Sequence, residues 1–131
     1  MVTKDDVQSF IDRLEGGAAD ATELEPGMWL VRSSQGAEVV ISYAPPFVIF
    51  RMRVMEPPAG TDRQQGLFRR LLEFNASDLV HGSYGLEGDH VVLTDAHELE
   101  NLDFSEFEAS YDSLTLALSS HLSALAPFRE R

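Results

Sequence analysis

Three apolar stretches joined by very short connections place the strongest constraint on the fold of this chain. They span residues 28–32, 38–43 and 47–55 and are rich in β-branched and aromatic residues, which favour strands. The connections contain Gly and Pro at residues 34–36 and 44–46, and such short links join antiparallel neighbours. The sequence therefore predicts an antiparallel sheet in the middle of the chain.

The third stretch alternates in a way that assigns its side chains to two faces. Val48, Phe50, Met52 and Val54 fall on one face, and Phe47, Ile49, Arg51, Arg53 and Met55 fall on the other. A period of two with arginines on one face is typical of a half-buried strand. We therefore expect one face of the sheet to be partly exposed to water.

A helix is predicted before the sheet, over residues 3–15. Thr3 and Asp6 have the spacing of a capping box, and apolar residues recur at three- and four-residue steps at Val7, Phe10, Ile11 and Leu14. Residues 16–27 begin with two glycines and show no periodicity. We expect a flexible connection there, with the sheet starting after Gly27.

The second half of the chain predicts a helix, a hairpin and a final helix. Thr61 with Gln64 has the spacing of a capping box at the start of the helix, the hairpin turns at Gly88, and Asp103 with Glu106 caps the last helix. At 131 residues the chain has the length of one domain. We predict a single α+β domain over residues 1–131, an antiparallel β-sheet with helices packed on it in the order α-β-β-β-α-β-β-α.

Charge and composition exclude several classes of function. The net charge is −12, which disfavours binding to nucleic acid or to an anionic membrane. The chain has no cysteine, so thiolate metal sites and a cysteine nucleophile are excluded. The sequence shows neither a secretion signal nor an apolar run long enough to cross a membrane, and we expect a soluble cytoplasmic protein.

Histidines raise the question of a metal site. His81, His90 and His97 occur close together in the sequence with several carboxylates, including Asp95. A zinc-protease helix would need a second histidine at position 101, where the chain has Asn101. We interpret the histidines as polar residues at turns and strand ends. The sequence thus predicts no metal, no cofactor and no enzymatic activity, with a metal-dependent enzyme in this region as a minor alternative.

Apolar side chains outside the expected core suggest a binding surface. Trp29, Phe47, Ile49 and Met55 are expected on the sheet face opposite the main core, and the first helix is joined to the sheet only by a glycine-rich segment. Two interpretations stay open at this point. The residues are ordinary core, or they form an interface with another subunit or an extended peptide.

The segment from residue 71 to residue 118 resembles the second half of the type III secretion chaperone-like family, which includes CesT-type and YbjN-type proteins. The shared pattern is a helix, a glycine-rich hairpin, a strand, a Leu-x-x-Leu turn and a capped helix, here with Leu71, Leu72, Asn75, Leu99, Leu102, Asp103 and Phe107. The preceding helix and strands fit the same order, so the resemblance covers roughly residues 3–122.

The resemblance implies a small acidic protein, commonly a homodimer without a cofactor, that holds a stretch of another protein. We therefore predict a non-enzymatic chaperone-like or adaptor module with a protein or peptide client. We expect the binding surface to include Val7, Phe10, Leu14, Trp29, Phe47 and Ile49. The alternative is a structural or regulatory homo-oligomer that has no client.

Overall fold

A computed structural model describes residues 1–129 as one sheet with three helices. The helices are α1 (Lys4–Arg13), α2 (Thr61–Ser77) and α3 (Phe104–Arg129). The strands are β1 (Asp20–Glu25), β2 (Met28–Arg32), β3 (Glu38–Ala44), β4 (Phe47–Met55), β5 (Ser83–Glu87) and β6 (His90–Glu98). A short 3₁₀ turn, Leu14–Gly17, follows α1. The predicted α+β class is confirmed.

The six strands form one antiparallel sheet in the order β1-β2-β3-β4-β6-β5. In the centre of the sheet Trp29 pairs with Ile41, Ile41 with Phe50, and Phe50 with Asp95. The three predicted central strands and the predicted hairpin, with Gly88 at positive φ in its turn, are all present. Their register sets which side chains share a face.

The connection predicted over residues 16–27 contains a strand that the sequence analysis missed. β1 pairs with β2 along the sheet edge, and all six of its residues are exposed. A strand that is exposed on both faces needs no apolar residue, so its sequence carries no alternation. The observed order is therefore one helix, four strands, one helix, two strands and one helix.

The predicted caps at the starts of α1 and α3 are present, whereas the predicted cap of α2 at Thr61 is wrong, because Thr61 lies inside the helix and Gly60 is at the N-cap position without a side-chain hydrogen bond. Thr3 Oγ1 accepts a 3.2 Å hydrogen bond from the backbone N of Asp6, and Asp6 Oδ2 accepts a 2.9 Å bond from the backbone N of Thr3. At α3, Asp103 Oδ1 accepts a 2.8 Å bond from the backbone N of Glu106. These bonds satisfy backbone donors that the helix itself leaves unpaired.

All three helices pack on the same face of the sheet, with α3 between the other two. Phe107 of α3 lies 5.4 Å from Phe10 of α1 and 5.0 Å from Phe50 of β4, measured between ring centroids. On its other side α3 places His121 against Phe74 of α2, with stacked rings 3.7 Å apart. The helix-facing sides of β2 to β6 and these helices form one continuous core.

The predicted placement of Trp29 is wrong, because this side chain lies on the helix-facing side of β2. It is 1% exposed, and its indole Nε1 donates a 2.7 Å hydrogen bond to Gln8 Oε1 of α1. Met55 is also buried, because a register irregularity between Arg53 and Met55 shifts it towards the core. The bulge breaks the alternation from which the face of Met55 was predicted.

No helix within residues 1–129 combines the length and the apolar character that a membrane span requires.

Candidate functional site

One face of the sheet carries no helix within residues 1–129. Along β2 to β4, every second residue points away from the helices, and these side chains are partly or fully exposed. We call this surface the open face; it consists of Met28, Leu30, Val40, Ser42, Ile49, Arg51 and Arg53. The partial exposure that the alternation in β4 predicted is confirmed.

Apolar side chains run across the open face from strand to strand. Leu30 of β2 is the direct register partner of Val40 of β3, and Ile49 of β4 is paired with Ser42 of β3. A shallow depression of about 500 Å³ is lined by Leu30, Val40 and Arg53, among other residues. Cross-strand neighbours of this kind lie close enough to act as one apolar strip.

Arginines give the open face a positive charge in an otherwise acidic protein. Arg51 Nε lies 3.0 Å from Glu87 Oε2 of β5, so this ion pair crosses β6. Arg32, at the end of β2, pairs with Glu38 at 3.1 Å. Within residues 1–129, Arg53 is exposed and has no ion-pair partner. Arg53 is thus a cation that a partner could engage.

The structure separates the six residues predicted to form a binding surface. Val7, Leu14 and Trp29 are fully or almost fully buried in the core, so the expectation that they contribute exposed surface is wrong. Amphipathic spacing marks the core face of a helix just as it marks an interface, and here it marks the core.

Three of the six predicted residues retain solvent contact. Phe47, at the start of β4, is 41% exposed, and Ile49 is a partly buried member of the open face. Phe10 is partly buried and contacts Phe104 at 5.9 Å between ring centroids. Binding by these three residues stays a prediction.

The strand β1 leaves one edge of the sheet free. Its outer side has no neighbouring strand among the described residues, and Leu24 is among its exposed side chains. The backbone groups on such an edge can pair with an extended chain.

A groove that sequence reasoning did not identify runs along α3. It has a volume of about 690 Å³ and lies between α3 and the β2–β3 turn, with Leu116, Leu122 and Gln35 in its wall. Leu116 is 68% exposed, whereas Leu114 two residues before it is fully buried in the core. A spacing of two residues places Leu116 on the opposite side of the helix from Leu114, and this was the signal that could have identified it.

The histidines fall into three separate environments. His90, at the start of β6, has its Nδ1 3.9 Å from Glu56. His121 is buried; its Nε2 donates to the Asp78 carboxylate at 3.2 Å, and its Nδ1 accepts from the Tyr84 hydroxyl at 2.8 Å.

His81 and His97 form the third environment. His81 lies in the loop between α2 and β5 and His97 lies near the end of β6, as predicted, and their rings are 6.3 Å apart. The sequence did not predict this proximity, because it depends on how the loop that carries His81 folds against β6.

Solved structures with the same fold include proteins associated with type III secretion. A chain of the heterodimeric ExoU–SpcU complex from the type III secretion system of Pseudomonas aeruginosa is 18% identical with a TM-score of 0.61, covering 95% of this chain and 98% of that one. The type III secretion chaperone SycH of Yersinia pestis, in complex with a YscM2 fragment, gives 14% identity and a TM-score of 0.61, with 90% and 98% covered.

A third similar structure comes from outside these complexes. YbjN of E. coli, described as a putative transcription regulator, is 12% identical with a TM-score of 0.67, and 93% of this chain and 92% of that chain are covered. No curated protein sequence matches this chain. These structures share the α+β fold described above.

The sequence itself matches a family model along nearly its whole length. The model is CesT_Tir_1, and the match covers residues 2–131. The resemblance noted in the sequence is confirmed by this match and by the shared fold. The chain belongs to the CesT_Tir_1 family.

Proposed function

We propose that this protein is a chaperone-like binding module that holds an extended segment of a partner protein against the open face, without catalysis. The observation that carries the proposal is the open face itself, a sheet surface with apolar side chains that no helix in the described part of the chain covers. The similar structures that contain secretion chaperones with bound partners support the same role.

The open face suits an extended apolar segment that carries a carboxylate. The strip formed by Leu30, Val40 and Ile49 offers apolar contact, and each buried methylene contributes roughly 0.8 kcal/mol. Arg53 is the cation on this face that lacks an ion-pair partner within the described residues. Arg51, by contrast, is engaged by Glu87. A client with an acidic residue beside an apolar run would use both features.

We also propose that the protein acts as a homodimer in the cytoplasm. Exposed apolar side chains occur on α2, on β5 and in the loop between them: Leu72 is 66% exposed, Val80 is 86% exposed and Leu86 is also exposed. Exposed apolar groups of this kind favour contact with a second protein surface. A second copy covering this region would leave the open face available to the client.

Peptide binding tests the proposed role directly. Fifteen-residue peptides selected from a random library against the full chain should be apolar with at least one acidic residue. Replacing Val40 or Ile49 by Thr keeps a β-branched side chain and removes apolar surface. Each change should weaken the selected peptides by about fivefold or more in fluorescence anisotropy, since loss of roughly one buried methyl group contributes near 1 kcal/mol.

The control is Leu116→Gln, which alters an exposed leucine on α3 and leaves the open face unchanged. Peptide affinity should be the same as for the unmodified protein. If Leu116→Gln abolishes binding and the two threonine variants do not, the groove along α3 is the binding site and the proposal for the open face is wrong.

The second candidate function is a homo-oligomer without a client, and the exposed side chains of α2 and β5 favour it. Light scattering separates the two functions. A dimer of twice the 14.6 kDa chain mass that still binds peptide supports the chaperone-like role. An oligomer that binds no peptide supports the alternative.

A further inference from the structure

Two imidazoles and one carboxylate meet where the loop after α2, the end of β6 and α3 come together. His81 lies in the loop between α2 and β5, and Asp95 and His97 lie two residues apart on β6. One donor atom from each side chain lies within 4.8 Å of the donor atoms of the other two. The side chains of Asp95 and His97 point to the helix-facing side of the sheet, so this cluster is separate from the open face.

The spacing of these atoms is close to that of a small coordination shell. Two ligand atoms bound to one tetrahedral Zn²⁺ at about 2.0 to 2.1 Å are roughly 3.3 Å apart. Asp95 Oδ2 and His97 Nε2 are already 3.4 Å apart. The third donor atom, on the imidazole of His81, lies within 4.8 Å of the donor atoms of both other side chains.

Hydrogen bonds from outside the cluster hold the carboxylate in place. Ser110 of α3, which is fully buried, donates its hydroxyl to Asp95 Oδ2 at 2.6 Å and also contacts His97 Nε2. The backbone N of Ala96 donates to the other oxygen, Asp95 Oδ1, at 3.0 Å. The bond from Ala96 orients the carboxylate through the oxygen that would not bind the ion, as partners of metal-ligating carboxylates do, whereas a bound ion would displace the Ser110 hydroxyl from Asp95 Oδ2 and His97 Nε2.

The backbone at Gly82 holds His81 beside β6. Its φ is +80°, and a Cβ at this position would lie 2.6 Å from the carbonyl oxygen of Thr94 and 2.7 Å from a methyl group of Leu114. The loop therefore approaches β6 and α3 more closely than any residue with a side chain allows. Because His81 immediately precedes this contact, its backbone position is fixed relative to Asp95.

We propose that His81, Asp95 and His97 form a binding site for a divalent transition-metal ion, with Zn²⁺ as the preferred ion. Two imidazoles and one carboxylate are a donor set that Zn²⁺ favours, whereas Mg²⁺ and Ca²⁺ favour sites built from oxygen alone. All three side chains are partly exposed, so water can occupy a fourth position. A bound ion would tie the loop after α2 to β6.

Titration with Zn²⁺ tests the site on the full chain, prepared without an affinity tag and freed of metal with a chelator. Calorimetry should give one Zn²⁺ per chain, and Mg²⁺ should give no binding. His81→Gln and Asp95→Asn should each lower the Zn²⁺ affinity by at least about tenfold. Co²⁺ should give the visible absorption of a four-coordinate site in the unmodified protein and lose it in His81→Gln.

The matched control is His90→Gln, the same substitution at a partly buried histidine that lies outside the cluster. This variant should keep the full Zn²⁺ affinity and the melting-temperature rise that Zn²⁺ gives the unmodified protein. His81→Gln should lose that rise while it remains folded by circular dichroism.

Three outcomes would overturn the proposal: no stoichiometric Zn²⁺ binding, unchanged Zn²⁺ affinity in His81→Gln, or an equal loss in His90→Gln. If Asp95→Asn fails to fold, the comparison of the two histidine variants decides the question, because it involves no change to Asp95.

Discussion

The hydroxyl of Tyr111 on α3 donates a 2.8 Å hydrogen bond to Glu15 Oε2, in the turn that follows α1. The other carboxylate oxygen of Glu15 accepts a 2.6 Å bond from the Ser34 hydroxyl, in the β2–β3 turn. Glu15 has a φ of +53°, an uncommon conformation for a residue with a side chain. One carboxylate therefore connects three segments that are far apart in the sequence.

Removing the Tyr111 hydroxyl tests the strength of this connection. Tyr111→Phe should lower the free energy of unfolding by about 1.5 to 3 kcal/mol, the range for hydrogen bonds to charged groups. Urea unfolding followed by circular dichroism measures the change. Tyr43→Phe is the control, because the Tyr43 hydroxyl has no hydrogen-bond partner within residues 1–129. Equal effects in the two variants would show that the Glu15 bond contributes nothing specific.

Acid should weaken the same connection. The Ser34 side chain, followed by Tyr111, stabilises the charged form of Glu15 and lowers its pKa below the ordinary value of 4.5. A lowered pKa in the folded state gives a stabilisation that is complete above pH 4.5 and is lost as the pH falls through the folded-state pKa. Unfolding free energies measured from pH 6 to pH 3 should therefore fall more steeply in the unmodified protein than in Glu15→Gln. Parallel curves would contradict this account.

High pH should lower the free energy of unfolding through Tyr84, a different tyrosine from the Tyr111 that bonds to Glu15. Burial, and then the charge of Asp78, raise the pKa of Tyr84 to about 12. The neutral hydroxyl is bonded to His121, so the resulting stabilisation is complete below pH 10 and is lost as the pH rises from 10 towards 12. Over this range the unmodified protein should lose unfolding free energy faster than Tyr84→Phe. A Tyr84→Phe curve of equal slope would contradict the assignment.

Gly82 and Gly85 offer a matched pair of substitutions. Gly82→Ala should destabilise the protein by about 1 to 3 kcal/mol from its positive φ alone, and the contact with the Thr94 carbonyl should add to this. Gly85 has open space around its Cα, so Gly85→Ala should change the unfolding free energy by less than about 1 kcal/mol. Thermal unfolding of both variants measures the difference, and similar melting temperatures would contradict the close approach at Gly82.

Trp29 reports on the core, since it is the single tryptophan in the chain. Trp29→Ala should cost about 3 to 5 kcal/mol of stability, because it removes a fully buried aromatic side chain. In the unmodified protein, acrylamide should quench its fluorescence weakly, and a peptide bound to the open face should leave that quenching unchanged. Strong protection of Trp29 by a bound peptide would show that the peptide enters the helix-facing side.

Much of this fold was predictable, because local signals agreed with the tertiary structure. The caps at Thr3 and Asp103 are hydrogen bonds between residues three apart in the sequence. The alternation in β4 matches the alternating burial of its side chains. The strand β1 was not predictable in this way. Its residues are exposed on both faces, so its pairing with β2 leaves no apolar pattern in the sequence.

The candidate site was less predictable, because it depends on which face of each strand the helices cover. Residues 28–31 are all apolar, and a run of this kind cannot show that Trp29 faces the core while Leu30 faces solvent. Spacing on β6 alone places Asp95 and His97 on one face. The approach of His81 depends on the fold of the loop at Gly82, which no short-range pattern encodes.

The acidic composition of β1 bears on how copies of this protein behave when crowded. Its six residues, DATELE, include three carboxylates along an unprotected strand. If two such strands from different molecules paired, their carboxylates would lie opposite each other. Edge-to-edge association of the sheets is therefore disfavoured. The β1 edge of the sheet can thus stay accessible to solvent without promoting aggregation.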